Sequence, residues 1–282
     1  MAALIQKAAT LRAARNTESG VSFGAWQTLP GANFSRAIAR AGFDWVLIDC
    51  EHGNISGMER GCYCLNWGVS PIVRIADNEN WMVKRALDAG AHGILVPYLF
   101  GVADAQKLVQ WREIPPMGKR GFGSPFSQGC FDATGNINGR EYYENTNNTL
   151  LICIKIKTRE ALDCVEDIAL VPGVDVLFVC PWDLGNNIGH PVRGSFDPEL
   201  RQAISRIREA AHKAGKKSGI YCPNGDVAKQ YAEEGFQMIT CVIDMGAIPT
   251  SMVENLTRAK DTYSQCIQEE VKGAAYSSLK SK

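Results

Sequence analysis

Short apolar runs recur along the chain, most of them followed by a polar turn and then by a segment with helical spacing of its apolar residues. Runs rich in β-branched and aromatic residues predict strands at Val21–Trp26, Asp44–Asp49, Pro71–Ile75, Gly93–Val96, Leu150–Ile156, Asp175–Val179, Lys217–Tyr221 and Met238–Ile243. Brief runs of this kind are the signature of parallel strands buried on both faces. A repeat every three to four residues predicts helices at Phe34–Ala41, Trp81–Ala89, Ala161–Leu170, Pro198–Ala214 and Val227–Glu234. Gly42, Gly90, Gly215 and Gly235 stand where four of them stop, and Pro172-Gly173 follows the other.

Strands alternating with helices at this length describe an α/β chain, a closed TIM (β/α)8 barrel. A doubly wound open sheet is the competitor, but it calls for a glycine-rich turn after the first strand. That turn here reads WQTLPGANF. The expected organisation is a single domain over 1–282 with its barrel over about 20–258. An N-terminal amphipathic helix precedes it, carried by Leu4, Ile5, Ala8 and Leu11. The same segment is basic and acid-free until Glu18, which superficially resembles a transit peptide. Residues 114–148 break the repeat and predict a long loop insertion serving as a lid or an interface arm. Residues 246–282 predict a C-terminal helical extension that fades into a polar tail.

Composition narrows the partners. Thirty basic side chains face thirty acidic ones among 282 residues, so the basic excess of a nucleic-acid binder is missing. No apolar run is long enough to span a bilayer, which leaves no membrane partner to expect. Ten cysteines are scattered, several inside apolar runs, without a Cys-x-x-Cys pair. That pattern suits buried thiols in a reducing, cytoplasmic setting better than disulfides or structural zinc.

Barrel chemistry collects where the strands end, because those loops surround one mouth. Trp26 stands at the end of the first strand, Asp49, Glu51 and His52 at the second, and Arg74 at the third. Lys155 and Lys157 close the fifth, and Pro181, Trp182 and Asp183 follow the sixth. So many charges from separate strands favour catalysis or ligand binding over structure, since a buried charge is costly unless paired. His52 beside acidic neighbours suits a proton-transfer base. Arg74 suits either a pair with Asp49 or an anionic substrate oxygen.

The stretches GAWQTLPG, AGFDWVLIDCEHG, PIVRIADN, VKRALDAGAHGILVPYL, PPMGKRGFG, PGVDVLFVCPWDLGNNIGHP and AGKKSGIY resemble the HpcH/HpaI class II pyruvate aldolases. The likeness runs in family order from about residue 20 to 258. It implies a TIM barrel assembled as a homo-oligomer, dimer to hexamer, and a carbon–carbon lyase acting on a 2-oxo acid through an enolate. His52, assisted by Asp49, falls on the proton-handling position and Arg74 on the enolate-stabilising one. Asp88 falls on an aspartate that approaches a neighbouring subunit's site, and Trp26 on a pocket wall. Asp183 falls on one of two metal ligands. The other, a glutamate in a Gln-Ile-Glu-Thr strand, is Lys157 in Lys155-Ile156-Lys157-Thr158.

Magnesium takes oxygen ligands, and an ammonium competes with it. The expected cofactor is therefore none, or a weakly held Mg²⁺, Mn²⁺ or Co²⁺. Trp182 replaces a small residue and favours a flatter or aromatic substrate, with Lys155 and Pro181 beside it in the substrate pocket. Three readings follow: an aldolase-type lyase on a small carbonyl or 2-oxo-acid substrate, a metal-independent carbon–carbon bond-forming or cyclising enzyme of specialised metabolism, or a non-catalytic binding protein. In the second, Lys157 acts as a cation or a Schiff-base amine. Macrophomate synthase looks like a relative on the same scaffold.

Overall fold

The computed structural model describes residues 20–55, 69–127 and 139–261; the expected N-terminal helix lies outside them. Eight parallel strands close into a barrel in sequence order: β1 (Ser22–Gln27), β2 (Trp45–Asp49), β3 (Ser70–Arg74), β4 (Gly93–Val96), β5 (Leu151–Ile156), β6 (Val176–Val179), β7 (Lys217–Tyr221) and β8 (Met238–Ile243). β8 pairs back to β1, with a register shift between Gly24 and Ala25. Every strand lies within a residue of its predicted span. Asp44 and Asp175 fall just outside, where their carboxylates accept hydrogen bonds from the backbone N–H of Phe23 and Ile152 on neighbouring strands.

The period of two along each strand sorts side chains into two layers. Trp26, Trp45, Leu47, Ile72, Leu95, Leu151, Cys153, Val176, Phe178 and Met238 fill the barrel interior. Their alternates, including Ile48, Val73, Ile94, Ile152, Ile154, Ile156 and Leu177, pack outward under the helices. Gly219 on β7 makes room for this interior: a Cβ there would stand 2.4 Å from the ring of Phe178.

The helices are α1 (Ala32–Ala39), α2 (Asn80–Asp88), α3 (Val102–Arg112), α4 (Gly139–Thr149), α5 (Arg159–Asp163), α6 (Val165–Leu170), α7 (Pro181–Ile188), α8 (Pro198–Lys213) and α9 (Gly225–Glu233). The helix predicted over Ala161–Leu170 is two, broken at Cys164, whose backbone leaves the helical region. It also starts earlier, because the hydroxyl of Thr158 caps it by accepting from the N–H of Ala161. α1 stops before Gly42, whose φ of +89° suits only glycine.

The expected loop over 114–148 corrects in part, since its end is helical in α4. Arg120 is buried against that helix, its guanidinium donating to Thr146 Oγ1 at 3.0 Å and to the Tyr142 hydroxyl at 3.3 Å. Asn147 bridges to the backbone of Ile114, accepting from its N–H and donating to its carbonyl. The chain divides into two compact units, one ending at Ile243 and one starting at Asp244. Residues 244–261 of the second form a mostly exposed helix.

Candidate active site

The interior period that carries Leu151 and Cys153 reaches Lys155 and then Lys157, and the one that carries Trp45 and Leu47 reaches Asp49. Ile72 is followed on the same face by Arg74, and Asp49 and Arg74 are direct register partners. Strand alternation thus aims four charged side chains into the upper barrel, where all are buried.

Asp49 is saturated with donors. Arg74 grips it twice, Nε donating to Oδ1 at 2.8 Å and Nη2 to Oδ2. Trp26 Nε1 donates to Oδ2 at 3.0 Å, and the backbone N–H groups of Glu51 and His52 donate to Oδ1 at 3.0 and 3.1 Å. Burial alone would raise its pKa, but the bonds and charge of Arg74, with the Trp26 bond, outweigh that and bring it down to about 2. Trp26, expected as a pocket wall, is nearly fully buried and serves as part of this support. Its ring lies under the Arg74 guanidinium, 4.7 Å from centroid to Cζ.

The cluster continues through Glu51, named at the end of the second strand but given no site role of its own there. Glu51 places Oε2 2.7 Å from Arg74 Nη1 and Oε1 3.1 Å from Lys157 Nζ. Lys157 Nζ lies 3.4 Å from Asp183 Oδ2 and 3.7 Å over the ring of Tyr98. Lys155 Nζ is 3.9 Å from the same Asp183 oxygen and 5.3 Å from the Trp26 ring centre. Three carboxylates and three cations therefore alternate in one contiguous, neutral ladder: Asp49, Arg74, Glu51, Lys157, Asp183, Lys155.

Burial lowers the pKa of Lys155 against the opposing pull of Cys180 and Asp183. Asp183 is shifted down, because the two lysines outweigh the effect of its burial. Asp183 and Trp182 ride on the first turn of α7, which opens on Pro181 at a position where a missing N–H costs nothing. Trp182 is 37% exposed. It meets Tyr221 and Phe196 edge-on, with ring centres 5.6 and 5.9 Å apart.

His52 is at the rim, its side chain 64% exposed, with Nε2 3.7 Å from Glu51 Oε1. Its ring thus faces Glu51, while Asp49 holds its backbone. Pro181 is buried. Asp88 ends α2, where its carboxylate pairs with Lys84 at 2.7 Å and its carbonyl accepts from Ser124. Among the described residues, the side chains brought together are those of Asp49, Arg74, Trp26, Lys155, Lys157, Asp183, Trp182 and His52, with Glu51, Tyr98 and Tyr221 added. Apart from them, His190, Asp197 and Glu199 bring ligand atoms within 4.8 Å of one another, compatible with a weakly held cation. Asp197 there also caps α8.

The pattern of the HpcH/HpaI aldolase/citrate lyase family matches residues 23–249. A hydroxypyruvate/pyruvate aldolase of Paraburkholderia phytofirmans is 34% identical, over 82% of this chain and 90% of its own. The chain belongs to the HpcH/HpaI aldolase/citrate lyase family. With membership comes the reaction class, an aldolase-type carbon–carbon lyase. A solved HpcH/HpaI family protein from Burkholderia cenocepacia J2315 superposes with a TM-score of 0.79 at 30% identity, covering 90% of this chain and 99% of its own. Macrophomate synthase shares the fold, with a TM-score of 0.80 at 23% identity over 92% of this chain and 90% of its own.

Proposed function

We propose that this family member makes or breaks a carbon–carbon bond next to the carbonyl of a 2-oxo acid, with side-chain cations doing the work of a divalent ion. The observation that carries the reading is the position of Lys157 Nζ, between Glu51 Oε1 at 3.1 Å and Asp183 Oδ2 at 3.4 Å.

The donor set does not fit a divalent cation. Such an ion needs several anionic or carbonyl oxygens at about 2.0–2.6 Å. Here both oxygens of Glu51 and Oδ2 of Asp183 face ammonium or guanidinium groups instead. Lys157, which the strand-five resemblance sets at the family's second ligand position, is itself a cation. Lys155 and Lys157 together bring two positive charges, the charge that Mg²⁺ would carry.

In the condensing direction, His52 takes a proton from the carbon adjacent to the ketone. The electron pair moves onto the ketone oxygen, and Arg74 and Lys157 hold that developing enolate by charge-assisted hydrogen bonds. The enolate carbon then attacks an aldehyde, and the resulting alkoxide takes back the proton held by His52, restoring the neutral imidazole. Cleavage is the same sequence reversed.

The test is exchange of the methyl protons of pyruvate into D₂O, followed by NMR in excess EDTA. Exchange that persists in chelator and falls about 10²–10³-fold in Lys157→Ala is the expected result. Exchange that collapses in EDTA and returns with Mg²⁺ overturns the reading. Borohydride trapping of pyruvate on Lys157 would move that residue from cation to Schiff-base amine.

A further inference from the structure

Lys155 and Lys157 are each about 1% exposed, so no ligand reaches them past the ladder as it stands. Their partners are not equally fixed. Glu51 is 7% exposed and lies between two cations, in an ion pair with Arg74 at 2.7 Å and accepting a hydrogen bond from Lys157 at 3.1 Å. Asp183 is 34% exposed, and its Oδ2 stands 3.4 and 3.9 Å from the two ammonium nitrogens. Both contacts exceed ordinary hydrogen-bond length. Asp183 is thus the most exposed carboxylate of the six-membered ladder and the one with the longest contacts to its cations, the Cys180 thiol being its further hydrogen-bond partner.

We propose that the two buried lysines form the seat for the substrate's carboxylate, and that Asp183 is an internal stand-in covering that seat until the substrate displaces it. The inference rests on the reading of the site as one that binds a 2-oxo acid, and it names which groups hold that acid. Charge balance supports the exchange. The ladder is neutral with Asp183 in place, and a monoanionic substrate added to it would leave an excess negative charge in a buried site. Rotation of Asp183 toward water as the substrate carboxylate enters leaves the count of charges in the seat unchanged. The displaced aspartate starts at the first turn of α7 and is already a third exposed, so only a short side-chain movement is required. No bond is made or broken in this step.

The proposal assigns Asp183 a role opposite to that of a metal ligand, and the two roles separate experimentally. Oxalate, an unreactive planar carboxylate, is titrated calorimetrically into the full-length protein in EDTA. Asp183→Asn should bind oxalate about tenfold more tightly than the unmodified chain, because a competing anion is gone. Lys155→Met, of similar length but neutral, should bind it about tenfold more weakly. Oxalate affinity that is unchanged or reduced in Asp183→Asn overturns the seat, as does unchanged affinity in Lys155→Met. Circular dichroism and thermal melts confirm that each variant is folded. Pyruvate proton exchange in EDTA is read in parallel. Tightened oxalate binding without exchange supports the seat and removes the proposed reaction; exchange with weakened oxalate binding removes the seat and keeps the reaction.

Discussion

Lys157 and Glu51, separated by 106 positions in the chain, meet through a 3.1 Å contact between Nζ and Oε1. Removing the two lysines at the end of β5 in favour of an amide and an acid, as Lys155→Gln with Lys157→Glu, exposes a set of carboxylates without internal cations on that side. The double variant should bind Mn²⁺ at least about tenfold more tightly than the unmodified protein. Titration followed by electron paramagnetic resonance of free Mn²⁺ measures this, and equal affinity would count against the account of the donor set.

The low pKa of Asp49 has a consequence for acid stability. Its carboxyl is brought from 3.8 to about 2 in the folded barrel. A depressed acid contributes stability above its unfolded pKa and loses it as pH falls through the folded value. Between about pH 4 and pH 2 this group alone should take away about 2 kcal/mol. Asp49→Asn leaves Arg74 short of its closest counter-charge and should cost about 3–5 kcal/mol at neutral pH. Urea unfolding across that pH range, for both proteins, reports the two numbers.

Trp182 shapes the rim without joining the ladder. Trp182→Ser removes its edge contacts with Tyr221 and Phe196 and opens space beside Asp183. The KM for a bulky aromatic aldehyde should rise several-fold, while that for a small aliphatic aldehyde changes little. A uniform loss of kcat with both would show instead that the ring holds α7 in place.

The floor of the site depends on an interior glycine. In Gly219→Ala the added Cβ would sit 2.4 Å from Phe178, whose ring packs against Trp26 at 6.2 Å. Overpacking of this kind costs about 1–3 kcal/mol. Thermal denaturation should show a lowered midpoint, and the Trp26 contribution to near-ultraviolet dichroism should change with it.

Much of this architecture is readable from residue order because local and global preferences agree. Strand spans follow from β-branched runs, and Lys155, Lys157, Asp49 and Arg74 fall inward by simple alternation. The misses have physical causes. Glu51 reads as a helper of the adjacent His52, and its contacts to Arg74 and Lys157 lie on strands far along the chain. α4, sequence GREYYENTNNT, carries little apolar surface; Tyr142 and Thr146 are its buried residues, and both receive Arg120. α7 is missing from the predicted helices because Pro181-Trp182-Asp183 follows a strand directly, although proline at a helix's first position is favourable. The break at Cys164 leaves no mark in an apolar period that continues through it.

The self-contained neutrality of the ladder bears on how the protein matures. Every counter-charge in it is encoded in the polypeptide, so closing β1 against β8 and drawing the strand ends together completes the cluster in the same event. On the proposed reading, assembly of the centre then needs no loading step after folding, and its readiness follows the folding equilibrium of the barrel rather than the supply of an inorganic ion.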